Sequence, residues 1–186
     1  ASIHQHRLDT ERMTAAKLDA TVRDTLAVRL GSASPEVVRE TLDMIARLKA
    51  TAPSAPLHAL LRHDDAGVRA RALSVLAASG DRTAAPSAER LLRDPDLNVR
   101  TQALLYLSRG GGFDPLRRIE ELGDFADFSI RAAMVAFLAS PGPARNEEAA
   151  RLLLEQMAAS AEPRDRAEAA RVLGIVPDPP TDILTS

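Results

Sequence analysis

The amino-acid sequence predicts an all-α protein, an α-α superhelix or solenoid of about five helical hairpins. Apolar side chains recur with a period of 31 residues over four consecutive stretches of the chain. Alanine and leucine, two of the best helix formers, supply most of the apolar content, and aromatic residues are only 3% of the 186 residues. Residues that cap helices recur at one position of the period. Since a single hairpin of this length cannot bury both of its apolar faces, we expect successive hairpins to stack on one another.

The 31-residue period is carried by several tracks of apolar residues. The tracks are Val37, Val68, Val99 and Ile130; Ile45, Leu76, Leu107 and Leu138; Leu30, Leu61 and Leu92; Leu60, Leu91 and Leu122; and, more weakly, Leu26, Leu57, Ala88 and Ile119. Several tracks that share one period are the sequence signature of a repeat architecture. We expect alanines such as Ala72, Ala103 and Ala169 to let the helices approach closely.

Each unit is predicted to contain a helix A, a tight turn and a helix B. In the third unit Ala88, Leu91 and Leu92 share one helical face, and the turn Asp94-Pro95-Asp96 follows. Asp96 stands where its side chain can accept a hydrogen bond from the free N–H groups of helix B. The residues at the same phase in the other units are also good caps, and they are Ser34, Asp65 and Asp127.

The predicted organisation is a lead-in or cap over residues 1–18, a repeat array over residues 19–176 and a C-terminal tail over residues 177–186. A fifth unit follows the others at a spacing of 35 residues, because the pattern from Met134 to Leu138 returns from Ala169 to Leu173. The tail resembles the start of a further helix A, so we expect the chain to be a piece of a longer protein. The predicted units are residues 19–49, 50–80, 81–111, 112–144 and 145–176.

Composition and charge exclude several classes of protein. The formal net charge of −2 gives no strong field toward nucleic acid or anionic lipid. The chain has no cysteine, which excludes disulfides and cysteine-ligated zinc. The sequence contains no run of about 18 apolar residues, so we expect no membrane span within this chain. We expect a cytoplasmic location, either free or at the cytosolic face of a membrane protein.

The pattern Asp-Pro-Asp-x-x-Val-Arg followed by Ala-Leu, from Asp94 to Leu104, resembles the short HEAT repeats of the phycobilisome-lyase type. Partial copies lie from Asp65 to Leu73 and from Asp127 to Val135, and the resemblance covers roughly residues 20–176. It implies a stack of helical hairpins and leaves the function open. Tetratricopeptide repeats fit less well, because their period is about 34 residues and their aromatic positions are empty here.

A second resemblance concerns the segment from Arg7 to Ile45, in which Ser34-Pro35 precedes Leu42-Asp43-Met44-Ile45. The segment is similar to the cytosolic HEAT segment of bacterial proteins that combine such repeats with a nucleotide-carrier-like or facilitator-type membrane region. This resemblance implies an intramolecular regulatory domain of a larger, transporter-like membrane protein. That role is the main alternative to an independent interaction module.

The sequence predicts no catalytic, cofactor or metal site. His4 and His6 lie near one end of the chain, and His58 and His63 do not share a helical face, so no third ligand converges with either pair. The run Gly110 to Gly112 lacks the lysine and hydroxyl of a phosphate-binding loop. We therefore expect a protein that is not an enzyme, with a lyase subunit as a lesser alternative.

Nucleic-acid binding is another lesser alternative, because HEAT-like DNA glycosylases exist. Arg62, Arg90 and Arg93 would form a basic strip on helices A, but Glu89 interrupts it, as is normal for a solvated helix face. Tyr106 lies at an apolar phase of helix B, where it is not available for stacking on a base. We expect no nucleic-acid partner.

The predicted function is a non-catalytic scaffold that binds a protein partner, or an adjacent domain of the same polypeptide, on a concave face made by helices B. The arginine row, which follows the capping residues, has two interpretations: a ladder of caps and ion pairs, or a grip on an acidic or phosphorylated partner. The candidate residues on the face itself are Arg71, Gln102, Ala133 and Glu168, and those of the arginine row are Arg69, Arg100 and Arg131.

Overall fold

The structure is a computed structural model, and it describes residue 17, residues 19–109, residue 117, residues 130–142 and residues 145–176. The regular secondary structure in these ranges is α-helix throughout, and they contain no strand. The all-α prediction is therefore confirmed.

Short turns separate neighbouring helices within residues 19–109. Residues 19–30 form a helix that precedes the numbered ones. The helices that follow are α1 (Pro35–Leu48), α2 (Ser54–Leu60), α3 (Ala66–Ser79), α4 (Ala85–Leu91), α5 (Leu97–Ser108), α6 (Ile130–Ala139), α7 (Glu147–Ala158) and α8 (Pro163–Leu173). In the predicted hairpins, α2, α4 and α7 are helices A, and α1, α3, α5, α6 and α8 are helices B. The limits of the five predicted units stay a prediction.

The chain divides into two compact units, Ala1–Val75 and Leu76–Ser186, and the division falls within α3. The core of the first unit is built mainly from aliphatic side chains, including Leu26, Leu30, Val38, Leu42, Ile45, Leu57, Leu61, Val68 and Leu73. The core of the second unit includes Leu76, Ala88, Leu92, Val99, Leu104, Leu107, Val135, Phe137, Leu138, Leu154, Met157 and Val172. Most of these residues belong to the predicted tracks or lie beside them.

One track departs from the prediction in the first repeat. Val37 is only half-buried, whereas Val38 is completely buried. Val38 stands at the phase where other repeats carry an arginine, and Arg100 at that phase is also completely buried. An apolar side chain fills this position without needing the hydrogen bonds that a guanidinium requires.

Three of the predicted helix caps are present. The side chain of Asp65 accepts a hydrogen bond from the Val68 amide at 2.8 Å, and that of Asp96 accepts one from Val99 at 3.0 Å. Ser34 makes the corresponding contact with Val37 at 3.5 Å. The fourth predicted cap, Asp127, lies outside the described residues. Asn146 caps α7 in the same way, accepting from the Ala149 amide at 3.0 Å.

Helix α6 is enclosed on all sides. Every residue from Ala132 to Leu138 is at most 5% exposed. A helix that is apolar all round belongs inside a protein, because it has no face suited to water. This burial limits which helix-B residues can reach a partner.

Candidate functional site

Arg69 and Arg100 of the arginine row hold the turns between helices A and B, and so does Arg166, which follows Arg131 at the 35-residue spacing of the fifth unit. In three repeats one guanidinium nitrogen, Nη1, donates to two successive backbone carbonyls of the turn before its own helix, at distances between 2.7 and 2.9 Å. The contacts are Arg69 to His63 and Asp64, Arg100 to Asp94 and Pro95, and Arg166 to Ser160 and Ala161. These contacts favour the structural interpretation of the row.

Arg100 takes part in a buried ion pair as well. Its Nη2 atom lies 2.8 Å from a carboxylate oxygen of Glu168, and the two side chains are 0% and 2% exposed. Arg171 donates to the other oxygen of Glu168 at 2.5 Å. Burial lowers the pKa of the Arg100 guanidinium, while the charge of Glu168 opposes that shift. The pair links α5 to α8 inside the second unit.

A second carboxylate of the second unit is held by arginines. Asp165 is 3% exposed, and it accepts from Arg131 at 2.9 Å and from the Ser160 hydroxyl at 2.8 Å. Burial by itself raises the pKa of Asp165, but the hydrogen bond from Ser160 and the guanidinium groups of Arg131 and Arg164 outweigh it, so the pKa is lowered. Arg131 is thus bound to α8 through an ion pair.

The four residues predicted for the partner-binding face occupy different environments. Arg71 and Gln102 are half-buried on α3 and α5, and part of each side chain faces solvent. Ala133 is completely buried in α6, and Glu168 is buried in its ion pair. The sequence pattern did not predict these differences in burial. They arise because neighbouring helices enclose α6 and cover one side of α8, and the periodicity of one helix does not show such contacts. Their contribution to partner binding stays a prediction, and only Arg71 and Gln102 reach the surface.

The exposed helix-B side of the first unit carries charges that ion pairs hold in place. Arg39 on α1 contacts Asp65 at 2.7 Å, and Asp43 on α1 contacts Arg71 on α3 at 2.9 Å. Gly67 lets the Asp65 and Arg71 side chains lie close to the backbone of α3. A Cβ atom at this position would lie 3.0 Å from the Asp65 carboxylate and 3.2 Å from the Arg71 guanidinium. We call Arg39, Asp43, Asp65 and Arg71 the charge surface. The sequence does not predict these pairs, because their spacings of 26 and 28 residues do not follow the repeat.

An open groove of about 730 Å³ adjoins the charge surface in the first unit. It is lined by Arg29, Glu40, Asp43, Met44, Ala46 and Arg47. Two of these charged side chains make contacts within the protein: Arg29 donates to the Thr41 hydroxyl at 3.1 Å, and Asp43 forms an ion pair with Arg71. Glu40 and Arg47 are exposed residues of α1 that carry opposite charges. The groove therefore offers an exposed carboxylate, that of Glu40, and an exposed guanidinium, that of Arg47, beside the thioether of Met44.

Tyr106 does not serve as a stacking platform. It is 5% exposed, its hydroxyl oxygen accepts a hydrogen bond from the Ala84 amide at 3.1 Å, and burial raises its pKa. It lines a cavity of about 70 Å³ in the second unit, together with Asp81, Arg82 and Arg109. The side chain therefore packs within the protein, as its apolar phase predicts.

The sequence predicts no metal site, and the four histidines were the residues weighed as ligands. His4 and His6 lie outside the described residues. In the residues that the structure does describe, no three histidine, aspartate or glutamate side chains come together as metal ligands would. The Nδ1 atom of His63 accepts a hydrogen bond from the Asp65 amide at 3.0 Å, which gives this histidine a role in the turn. Among the helices of the described ranges, none is both long and apolar enough to cross a bilayer.

The comparison with protein families gives a match to the model described as HEAT repeats, over residues 22–108 and again over residues 54–124. The two matches together span residues 22–124, which is more than half of the 186 residues. No curated protein matches the chain significantly. HEAT repeats generally mediate protein–protein interactions and are typically non-catalytic, and the likeness to a segment beside a membrane region stays a prediction. The matched residues and the paired, capped helices agree, and the chain belongs to the HEAT-repeat family.

Proposed function

We propose that this chain is a non-catalytic interaction module that binds a segment of a partner protein, or of an adjoining domain of the same polypeptide, in the groove beside the charge surface. The observation that carries the proposal is a pair of exposed, oppositely charged side chains in that groove, Glu40 and Arg47. They lie next to charged side chains that ion pairs hold in place. A partner segment with a basic group opposite Glu40 and an acidic group opposite Arg47 is complementary to it.

Pre-organisation supports this role. Arg39 and Arg71 are long side chains, and ordering such side chains on binding opposes association by about 0.5–1.5 kcal/mol each. Here their ion pairs with Asp65 and Asp43 order them before a partner arrives. Opposite charges placed side by side also favour one orientation of the partner and disfavour the reverse. Arg71 is the residue of the predicted face that belongs to this surface.

Two of the predicted partner-binding residues reach the surface on helices B of the second unit. Gln102 is half-buried on α5, and the Arg131 side chain is 38% exposed while it is bound to Asp165. We propose these two as additional partner contacts within that unit. Arg69 and Arg100 hold turns, and Ala133 and Glu168 are buried, so we assign these four to the integrity of the fold.

The test compares two arginine variants with the same change of charge. Arg47→Glu alters the groove, and Arg62→Glu alters an exposed arginine that does not line it. Each purified protein is used to capture proteins from a lysate of the cells that produce it, and bound proteins are quantified by mass spectrometry. We expect a partner that the wild type and Arg62→Glu retain and that Arg47→Glu loses by about tenfold. Equal capture by all three proteins contradicts the groove as the site. No capture above that of an unrelated helical protein contradicts the interaction role.

A further inference from the structure

Each A–B turn in the described part of the chain carries a second side-chain acceptor, two residues before the residue at the helix-cap position. This side chain accepts a hydrogen bond from the backbone amide of the residue at the cap position, with 2.9 to 3.2 Å between the amide nitrogen and the acceptor atom. The pairs are Ser32 with the Ser34 amide, His63 with Asp65, Asp94 with Asp96, and Ser160 with Glu162. At Ser34, Asp65 and Asp96 the side-chain cap is present as well, so these turns are fixed at two points, whereas Glu162 makes no side-chain cap bond. In one repeat the acceptor is an imidazole nitrogen.

Histidine differs from the other acceptors in its proton chemistry. A serine oxygen accepts at any physiological pH, whereas an imidazole nitrogen accepts only while it is unprotonated. Histidine is also the side chain that most readily changes charge between about pH 5 and pH 8. A protonated Nδ1 of His63 would present an N–H to the N–H of Asp65, and their 3.0 Å hydrogen bond would be lost.

A charge on the His63 ring would also act on the Asp65 carboxylate. The Asp65 carboxylate accepts from the Val68 amide at 2.8 Å and from Arg39 at 2.7 Å. An imidazolium two residues away attracts the same carboxylate and competes with both donors. Other charged or titratable groups of this segment are Asp64 in the turn, Arg69 on α3, whose guanidinium donates to the His63 carbonyl at 2.8 Å, His58 in the last turn of α2 and Arg62 just after that helix.

We propose that His63 makes the turn between α2 and α3 a pH-responsive joint, in which protonation of the imidazole releases the Asp65 amide and loosens the first turn of α3. Because Asp65 is also the partner of Arg39, the joint controls one of the ion pairs between α1 and α3. The turn at Ser160 makes the corresponding amide contact through a hydroxyl oxygen, which gains no proton between about pH 5 and pH 8, so we expect no response there. This inference concerns the turn alone and does not depend on the proposed partner groove.

The test measures amide hydrogen exchange by NMR on the full chain at about pH 8 and about pH 5, with rates divided by the intrinsic rate at each pH. We expect the protection of the Asp65 amide to fall about fivefold to tenfold at the lower pH, which is the loss of about one hydrogen bond. The Glu162 amide is the internal control, and its protection stays constant. In His63→Ser, which places the acceptor type of Ser32 and Ser160 at this position, we expect the Asp65 amide to keep its protection at both pH values.

Two results would overturn the proposal. One is equal protection of the Asp65 amide at both pH values in the wild type. The other is a pH response that persists in His63→Ser. A measurement that needs no variant is the nitrogen chemical shift of the His63 ring, which we expect to report an unprotonated Nδ1 at about pH 8. A protonated Nδ1 at that pH contradicts the hydrogen bond on which the inference depends.

Discussion

Arg100 and Glu168 form a buried ion pair across 68 residues of the chain, with 2.8 Å between the guanidinium nitrogen and the carboxylate oxygen. Removing two charges from water is unfavourable unless each finds further partners. Arg100 also donates to the Asp94 and Pro95 carbonyls, and Glu168 also accepts from Arg171. Because the pair requires α5 and α8 to meet at one register, we infer that it selects this packing over alternatives.

Neutralising Glu168 leaves Arg100 buried without its counter-charge. We therefore expect Glu168→Gln to lower the free energy of unfolding by about 3–5 kcal/mol. The matched control is Glu155→Gln, because Glu155 pairs with Arg151 on the exposed side of α7, where the two side chains are 46% and 52% exposed. That variant should change stability by less than about 1 kcal/mol. Urea denaturation followed by circular dichroism measures both, and equal losses would contradict a special role for the buried pair.

The capping residue Asp96 gives a second prediction. Its side chain accepts from the Val99 amide at 3.0 Å at the start of α5. Asp96→Ala removes this acceptor, and we expect a loss of about 1 kcal/mol in the free energy of unfolding. Asp64→Ala serves as the control, since Asp64 is exposed and its backbone carbonyl contact with Arg69 survives the change. If the two variants are equally stable, the cap contributes nothing measurable.

The sequence predicted the features that recur with the repeat. Leu30, Leu61 and Leu92, at 31-residue intervals, are all buried, and Asp65 and Asp96 are caps. Contacts that depend on the angle at which neighbouring hairpins pack were not predictable. The pair of Arg100 with Glu168 and the burial of Ala133 both depend on that packing angle. The periodicity of a single helix carries no information about it.

The second acceptors of the turns recur in the sequence without forming a repeat of one residue type. Ser32, His63 and Asp94 follow the 31-residue period, yet they share no residue type. What they share is a side-chain acceptor at one backbone position. Such a track becomes visible in a sequence when positions are compared by their hydrogen-bonding chemistry and not by residue identity.

Asp165 gives a prediction about pH. Burial opposes its ionisation, but the contacts from Ser160, Arg131 and Arg164 lower its pKa below the ordinary value of 3.8. The folded state therefore binds this proton less readily than the unfolded state does. The resulting stabilisation is present at neutral pH, above the unfolded pKa, and is lost as the pH falls through the folded pKa.

We expect Asp165→Asn to lower the free energy of unfolding at about pH 7 by about 1–3 kcal/mol, because the arginines lose a charged acceptor. We also expect the difference between wild type and variant to shrink as the pH falls below about 4, where the unfolded carboxyl takes up its proton. Urea denaturation from pH 7 downward provides the measurement. A difference that stays constant with pH would mean that the Asp165 carboxylate is not the source of the stabilisation.

Close helix packing at alanine gives the last prediction. Ala103 on α5 is completely buried, at the phase where Ala72 and Ala169 are also buried. Ala103→Leu inserts three carbon atoms into this contact, and overpacking of a filled core is destabilising by about 1–3 kcal/mol. Ala170→Leu on α8 makes the same change at an exposed position and should alter stability by no more than about 0.5 kcal/mol. Thermal and urea unfolding of both variants make the comparison. A stabilised Ala103→Leu protein would show that room remains beside α5, and the alanine at this phase would then not be required for close approach of the helices.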